Sequence, residues 1–491
     1  MTRAPELTVH GGVGGTTARL DDLDRAAGLL HRTAERLALG GARLALAAAD
    51  VDWVAGALVS PGTFGPAAGS LAAATLGPHG LAAVTARAEL LAGGVAGAVA
   101  AYRAADAAAD ASVRAVRLEL GRVAGLAVLA AGVGLVVSPL TPVLLAGGAL
   151  AVKATGPQGV PAPVGEVGAD LLWRFTANDA LVETVVGAAP GVLSPAGSGP
   201  PGLWLPGHPP GGSAELAALL ALGGAGLTRL TGRGPYLSEP AGPPSVVVRP
   251  ALNPATAPAG VADLLRRSPS TDEAAPRVHA ERIVAPDGKV SWVVSVPGTS
   301  QWSPKAGTNP FDLSSDVRAM AGRRTDAAEG VLLTMRRAGV RPGEPVMLVG
   351  HSLGGITAAS LAADPLLRKE FHVTHVVVSG APVAQFDVPD DVQVLALEHQ
   401  QDPTPRLDGA DNPDRPNWIT VERDLSADPF VEAAHGRRPL IAHHQAVYGS
   451  TATALDASTD PSLAHWRAGA AAFLARPGDE VEAFNATVTR P

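Results

Sequence analysis

The stretch from Val346 to Asp364, VMLVGHSLGGITAASLAAD, restricts the fold more than any other part of the chain. An apolar run suited to a buried strand ends on Gly-His-Ser-Leu-Gly-Gly, and an alanine-rich run suited to a helix begins at once. A strand that turns into a helix within so few residues strains the residue between them and brings its flanks close together. Gly350 and Gly354 are the residue type that such a turn requires. The other apolar runs nearby, THVVVSG and VQVLALE, are short, continuous and β-branched, and helical stretches such as DVRAMAGRRTDAAEGVLLTMRRAG lie between runs of this kind. That alternation predicts a mostly parallel sheet with helices on both faces. Before it, RVHAERIVAPDGKVSWVVSV reads as two strands joined at Asp287-Gly288, a hairpin signal.

The front of the chain has a different period. LDDLDRAAGLLHRTAERLAL places Leu23, Ala27, Leu30, Ala34 and Leu37 on one helix face. A second stripe runs through Leu81, Val84, Ala88, Leu91, Val95, Val99 and Tyr102, and the breaks SPGTFGP and LGPHG lie between the two. Stripes of this kind form the seam of a helical bundle. From Ala188 to Arg277 the sequence is dense in Pro and Gly, interrupted by LAALLALGGAGL and VADLLRR, which predicts a connector with short helices. The 491 residues therefore divide into an Ala-rich helical domain over 1–187, a connector over 188–277 and a sheet-containing domain over 278–491.

Charge and composition narrow the function. The net charge is −8 with no basic stripe, which argues against a nucleic-acid partner. Cysteine is absent, which removes disulfides, thiolate metal sites and a cysteine nucleophile. The amino terminus, MTRAPELTVHGGVGG, lacks an apolar core and a twin-arginine pair, so no cleaved signal peptide is expected. Val123–Val152 is uncharged and longer than the roughly 20 residues of a spanning helix, but it is rich in Gly and Ala and broken by Pro139 and Pro142. Two short buried helices around SPLTP are the favoured reading, and a membrane helix or hairpin is the alternative. Location, cytoplasmic or exported, stays open with it.

The strand, the Gly-x-Ser-x-Gly and the helix together form a nucleophile elbow, against the plainer reading of a glycine-rich turn. Such a turn lifts the Ser352 hydroxyl above the strand ends, aims the helix's positive end at the site and makes the N–H of Leu353 one oxyanion donor. Serine needs a base and an orienting acid, expected downstream in the order Ser, Asp, His. Asp402 lies just past VQVLALE, with Asp408 as the rival acid and a loop-capping role as the plain alternative. The base is His443 or His444 in PLIAHHQAVYGSTA, with His443 favoured, while His435 follows its strand too soon and sits beside two arginines. His351 reads as packing beside the nucleophile, where it borders the substrate-binding space, and His372, His375 and His399 read as surface or edge residues. In WVVSVPGTSQW the N–H of Thr299, or of Ser300, is the candidate second oxyanion donor. Trp302 is a candidate for the acyl pocket or for the core.

From about Val278 onward, VGHSLGG after a strand, the PGT turn, DPTP and the His443-to-Tyr448 loop resemble the α/β-hydrolase superfamily on its lipase and esterase side. The resemblance implies an α/β-hydrolase fold and a serine hydrolase working through an acyl-enzyme on a small-molecule or lipid ester, with no metal and no organic cofactor. One departure is that no helical cap is evident between the later strands, so any lid would come from the helical front or the connector. The front resembles the WXG100-like modules of actinobacterial secretion substrates. Tyr102-Arg-Ala-Ala-Asp106 fits their Tyr-x-x-x-Asp signal, while Trp53-Val-Ala-Gly56 has one residue more than their Trp-x-Gly turn. This second resemblance implies contact with secretion machinery, and with it an exported or envelope-associated interaction protein whose hydrolase fold is secondary or idle. Thioester or peptide cleavage by the same triad is the third reading.

Overall fold

The computed structural model describes residues 7–130, 237–251, 256–269, 277–303, 305–434 and 440–491. The chain divides into two units, one formed by Thr16–Ser112 and the other by the residues on either side.

The first unit is helical: α1 Thr16–Ala48, α2 Val51–Val59, α3 Pro61–Leu76 and the start of α4 Leu81–Ala130. Arg103 of α4 pairs with Asp21 and Asp24 of α1, and His31 of α1 pairs with Glu89, so α1 and α4 run antiparallel. The stripes predicted for these helices are buried through their small members. Ala27, Ala34 and Val99 are enclosed, while Leu23, Leu91 and Tyr102 keep about half their surface in solvent. A cavity of about 720 Å³ lies in this unit, lined by Leu37, Leu44, Trp53, Leu71 and Leu81 among others. The Val123–Val152 segment lies outside the described residues beyond Ala130.

The second unit is a nine-stranded mixed sheet in the order β1-β8-β7-β6-β5-β4-β3-β9-β2. The strands are β1 Leu7–Gly11, β2 Ser245–Pro250, β3 Arg277–Val284, β4 Val290–Val296, β5 Pro345–His351, β6 His372–Ser379, β7 Gln393–His399, β8 Trp418–Arg423 and β9 Glu480–Thr489. Strands β4 to β8 are parallel. The flanks are antiparallel: the Asp287-Gly288 turn folds β3 back on β4, β9 and β2 follow, and β1 closes the other edge on β8. The expected mostly parallel sheet is therefore parallel only at its centre.

The domain boundaries differ as well. Strand β1 falls in the segment read as the helical domain, and β2 falls in the segment read as connector, yet both belong to the sheet. Each is short, and each pairs with a strand hundreds of residues away (Leu7 with Arg423, Ser245 with Thr489), so nothing in its own neighbourhood marks the pairing. Helix α5 Val261–Arg267, also from the connector, packs into the same unit.

The central strands read as continuous apolar runs because both faces are covered. Val346 and Leu348 of β5 join Val294, Val296, Val376 and Val378 under α7 Asp326–Ala338 and α8 Leu353–Ala363, with α6 Leu313–Met320 alongside. Met347 and Val349 point the other way, into a second cluster with Val293, Val377 and Leu397 under α5, α11 Gln445–Asp456 and α12 Pro461–Gly469. Two short helices are also described, α9 Leu367–Glu370 beside β6 and α10 Pro429–Ala434, whose Val431 packs with Leu425 and Ile441 in a small cluster of its own. Near the chain's end, Arg490 is enclosed between Asp312, Asp326 and Glu239, tying β9 to the start of α6 and of α7.

Candidate active site

β5 stops at His351 and α8 starts at Leu353, which leaves Ser352 alone in the turn at φ 55° and ψ −124°. Among described non-glycine residues only Leu237 shares a positive φ, a conformation that costs an L-residue free energy. The glycines beside it leave no room for a side chain. A Cβ on Gly350 would lie 2.1 Å from the Gly354 carbonyl carbon, and one on Gly354 would lie 2.2 Å from the Val296 oxygen. The serine backbone is held from both sides: its N–H donates to Ser379 O at 3.0 Å, and its carbonyl accepts from Gly355 N at 2.8 Å.

Three loops bring the polar groups to this point. Asp402 follows β7, His443 follows β8 and α10, and Ser352 follows β5. The Ser352 Oγ lies 3.1 Å from His443 Nε2, and His443 Nδ1 lies 2.8 Å from Asp402 Oδ2. All three residues are buried. A carboxylate only accepts, so Nδ1 carries the proton and the Nε2 lone pair faces the serine hydroxyl. Burial works to raise the Asp402 pKa, but His443, the Thr404 N–H and the Tyr448 hydroxyl outweigh it and hold the carboxyl down at about 2.

The alternatives raised by the sequence lie elsewhere. His444 is exposed, and its Nδ1 accepts from Ala446 N at 3.3 Å, capping α11. The Asp408 carboxyl accepts from Ala384 N at 2.8 Å and Ala410 N at 3.3 Å, and burial pushes it well above the usual carboxylate range. His435 lies outside the described residues. His351 is buried, with Nδ1 3.2 Å from Ser379 Oγ and its ring 4.7 Å from that of His443. Burial, then the neighbouring His443, holds its pKa well below the ordinary value, so it is neutral beside the serine.

On the other side of the turn, the β4–β5 register sets Val296 against Gly350, so Pro297–Thr299 emerge beside the elbow. Among the described residues the N–H groups of Leu353 and Thr299 find no acceptor, whereas the Ser300 N–H donates to Phe311 O at 3.0 Å. Thr299 is buried, and its hydroxyl donates to Asp316 Oδ2 at 2.8 Å, which anchors the loop on α6. Trp302 is half-buried in the same loop.

Two histidines depart from the surface or edge role expected of them. His375 packs edge-on against Trp466 and Phe473. His399 is 1% exposed and stacks on Tyr448, with ring centroids 3.8 Å apart. Both stand in strands covered on two faces, where apolar neighbours conceal the burial of a polar residue. Tyr448 itself, whose hydroxyl donates to Asp402 Oδ2 at 2.7 Å, carried no role in the sequence beyond its place in the histidine loop. The described residues include no group of histidine and carboxylate side chains arranged to hold a metal ion. No protein-family model matches the chain, and no curated protein and no solved structure matches it either.

Proposed function

We propose that the sheet unit is a serine hydrolase of the α/β-hydrolase type, cleaving carboxylic esters through an acyl-enzyme. The hydrogen-bonded chain from Ser352 through His443 to Asp402, set on a turn with positive φ at the serine, carries this reading. The order of the three groups along the parallel strands supports it, as does the pair of N–H groups at Leu353 and Thr299 that find no acceptor among the described residues. In the reaction, Ser352 Oγ attacks the acyl carbon while its proton passes to His443 Nε2. The tetrahedral oxyanion forms against the N–H groups of Leu353 and Thr299. His443 returns the proton to the leaving alcohol, and water then releases the acyl group by the same steps in reverse. Asp402 stays ionised throughout and stabilises the imidazolium. Thioester or peptide cleavage would use the same groups, and comparing a p-nitrophenyl ester series from acetate to palmitate with the matching acyl thioesters and p-nitroanilides separates them. Wild type should turn over with a chain-length optimum and Ser352→Ala should not; turnover that survives in Ser352→Ala would end the proposal.

The helical unit supports a second role in export, because Tyr102 and Asp106 are both exposed on α4. An Asp106→Ala protein that fractionates like the wild type, wholly in the cytoplasm, would remove it.

A further inference from the structure

We propose that Tyr448 is a positioning residue for this site, holding the Asp402 carboxylate by a second hydrogen bond on the oxygen that His443 uses, with His399 holding Tyr448 in turn. The proposal rests on the hydrolase reading above.

Asp402 Oδ2 accepts from His443 Nδ1 at 2.8 Å and from the Tyr448 hydroxyl at 2.7 Å, while Oδ1 accepts from Thr404 N at 3.0 Å. Three donors on two oxygens leave the carboxylate one orientation. Without the phenol, Oδ2 would keep a single donor and the carboxylate could swing about its terminal torsion, taking the imidazole with it. A buried tyrosine hydroxyl needs a partner, and here its partner is Asp402. Burial, then the charge of Asp402, pushes the phenol well above its ordinary pKa, so it remains a donor.

The ring is fixed as firmly as the hydroxyl. His399 stacks on it at 3.8 Å and 14°, and His351 closes from another side at 5.5 Å. His399 Nδ1 donates to Ala442 O at 2.7 Å, and its Nε2 accepts from Thr451 Oγ1 at 2.8 Å. One imidazole therefore supports both the tyrosine ring and the backbone immediately before His443. Gly380, at φ 60°, leaves the space these groups occupy: a Cβ there would lie 2.8 Å from Tyr448 Cε2 and 3.1 Å from Asp402 Oδ2 and His443 Nδ1.

The second donor also has an electrostatic effect. It draws charge off the carboxylate, which weakens the hold of Asp402 on the imidazolium formed during the reaction. Around the pair stand His351 and His399, both kept neutral by burial; His444 acts on His351, Arg423 on His399 and Glu398 on Tyr448.

The test compares full-length wild type with Tyr448→Phe, which keeps the ring and its stack, and with Tyr448→Leu, which loses both. The readouts are kcat and KM for ester hydrolysis, the pH dependence of fluorophosphonate labelling at Ser352, and the far-downfield proton resonance of His443 Nδ1–H. Tyr448→Phe should keep the native fold, melting only modestly lower, yet lose about 10- to 100-fold in kcat with KM little changed. Its acid limb should move to higher pH and its downfield resonance should shift. A Tyr448→Phe protein matching the wild type in rate, acid limb and resonance, with only Tyr448→Leu impaired, would leave the tyrosine a packing residue and overturn the proposal. If the wild type neither turns over nor labels, the hydrolase reading falls, and the resonance then decides alone. A shift in Tyr448→Phe would still establish the hold on Asp402, and an unchanged resonance would overturn that too.

Discussion

The backbone of Ser352 allows a prediction that does not depend on activity. At φ 55° and ψ −124° the residue occupies a region that a side chain with a Cβ adopts at a cost of about 1–3 kcal/mol, and that glycine adopts freely. Ser352→Ala and Ser352→Gly both lose the hydroxyl that lies 3.1 Å from His443, so the difference between them isolates the backbone. Glycine adds flexibility to the unfolded chain, which takes back about 0.5–1 kcal/mol. Ser352→Gly should therefore be the more stable by about 1 kcal/mol, between extremes of about 0 and 2.5, a reversal of the usual order of alanine and glycine. Urea denaturation followed by tryptophan fluorescence reads this directly, because Trp292, Trp418 and Trp466 are all buried in the sheet unit. Both variants should be inactive, with equal slopes and a higher midpoint for glycine. A midpoint for Ser352→Ala above that of Ser352→Gly would show that the turn holds too little strain to outweigh the entropy of glycine, and the physical argument for the elbow would fail.

His443→Ala should lose at least about 10³-fold in ester turnover while His444→Ala stays within a few-fold, and the opposite result would move the base to His444. Gly354→Ala sets a Cβ 2.2 Å from Val296 O and 3.1 Å from Pro297 O, so it should displace the Thr299 loop and reduce turnover strongly although every triad side chain remains. A variant with wild-type kinetics would show that the end of β4 plays no part. Burial raises the Asp316 carboxyl to about 8, with nearby Asp312 adding to it against the Thr299 hydrogen bond. The native state thus keeps this proton up to about pH 8 while the unfolded chain releases it near 3.8, so stability from this group is complete below about pH 4 and is lost as pH rises to 8. Asp316→Asn should melt like the wild type at pH 4 and above it at pH 8, by about 2–4 kcal/mol because part of the residue still meets solvent; an equal gain at both pH values would contradict this.

The features visible in the sequence were those with a local cause. The turn at Ser352 could be read because a buried strand, two flanking glycines and a helix stand side by side in the chain. The central strands could be read because burial on both faces makes Val346, Met347, Leu348 and Val349 apolar without interruption. Asp402 and His443 could be placed by chain order, but sequence cannot separate His443 from its neighbour. Only the fold turns one ring inward and the other to the start of α11. What escaped was non-local. Strands β1 and β2 pair with partners hundreds of residues away, and the contact of Tyr448 with His399 joins a helix to a strand across the core. The same holds for Asp316, whose importance lies in a loop hydrogen bond to Thr299 that no pattern of spacing announces.

The proposed chemistry stands on Ser352 being an activated nucleophile. The most direct measurement is reaction of the full-length chain with a fluorophosphonate probe, with the modified residue located by peptide mass spectrometry. One adduct is expected, on Ser352, formed far more slowly in His443→Ala. No adduct at Ser352, or one formed equally fast without His443, would contradict that chemistry.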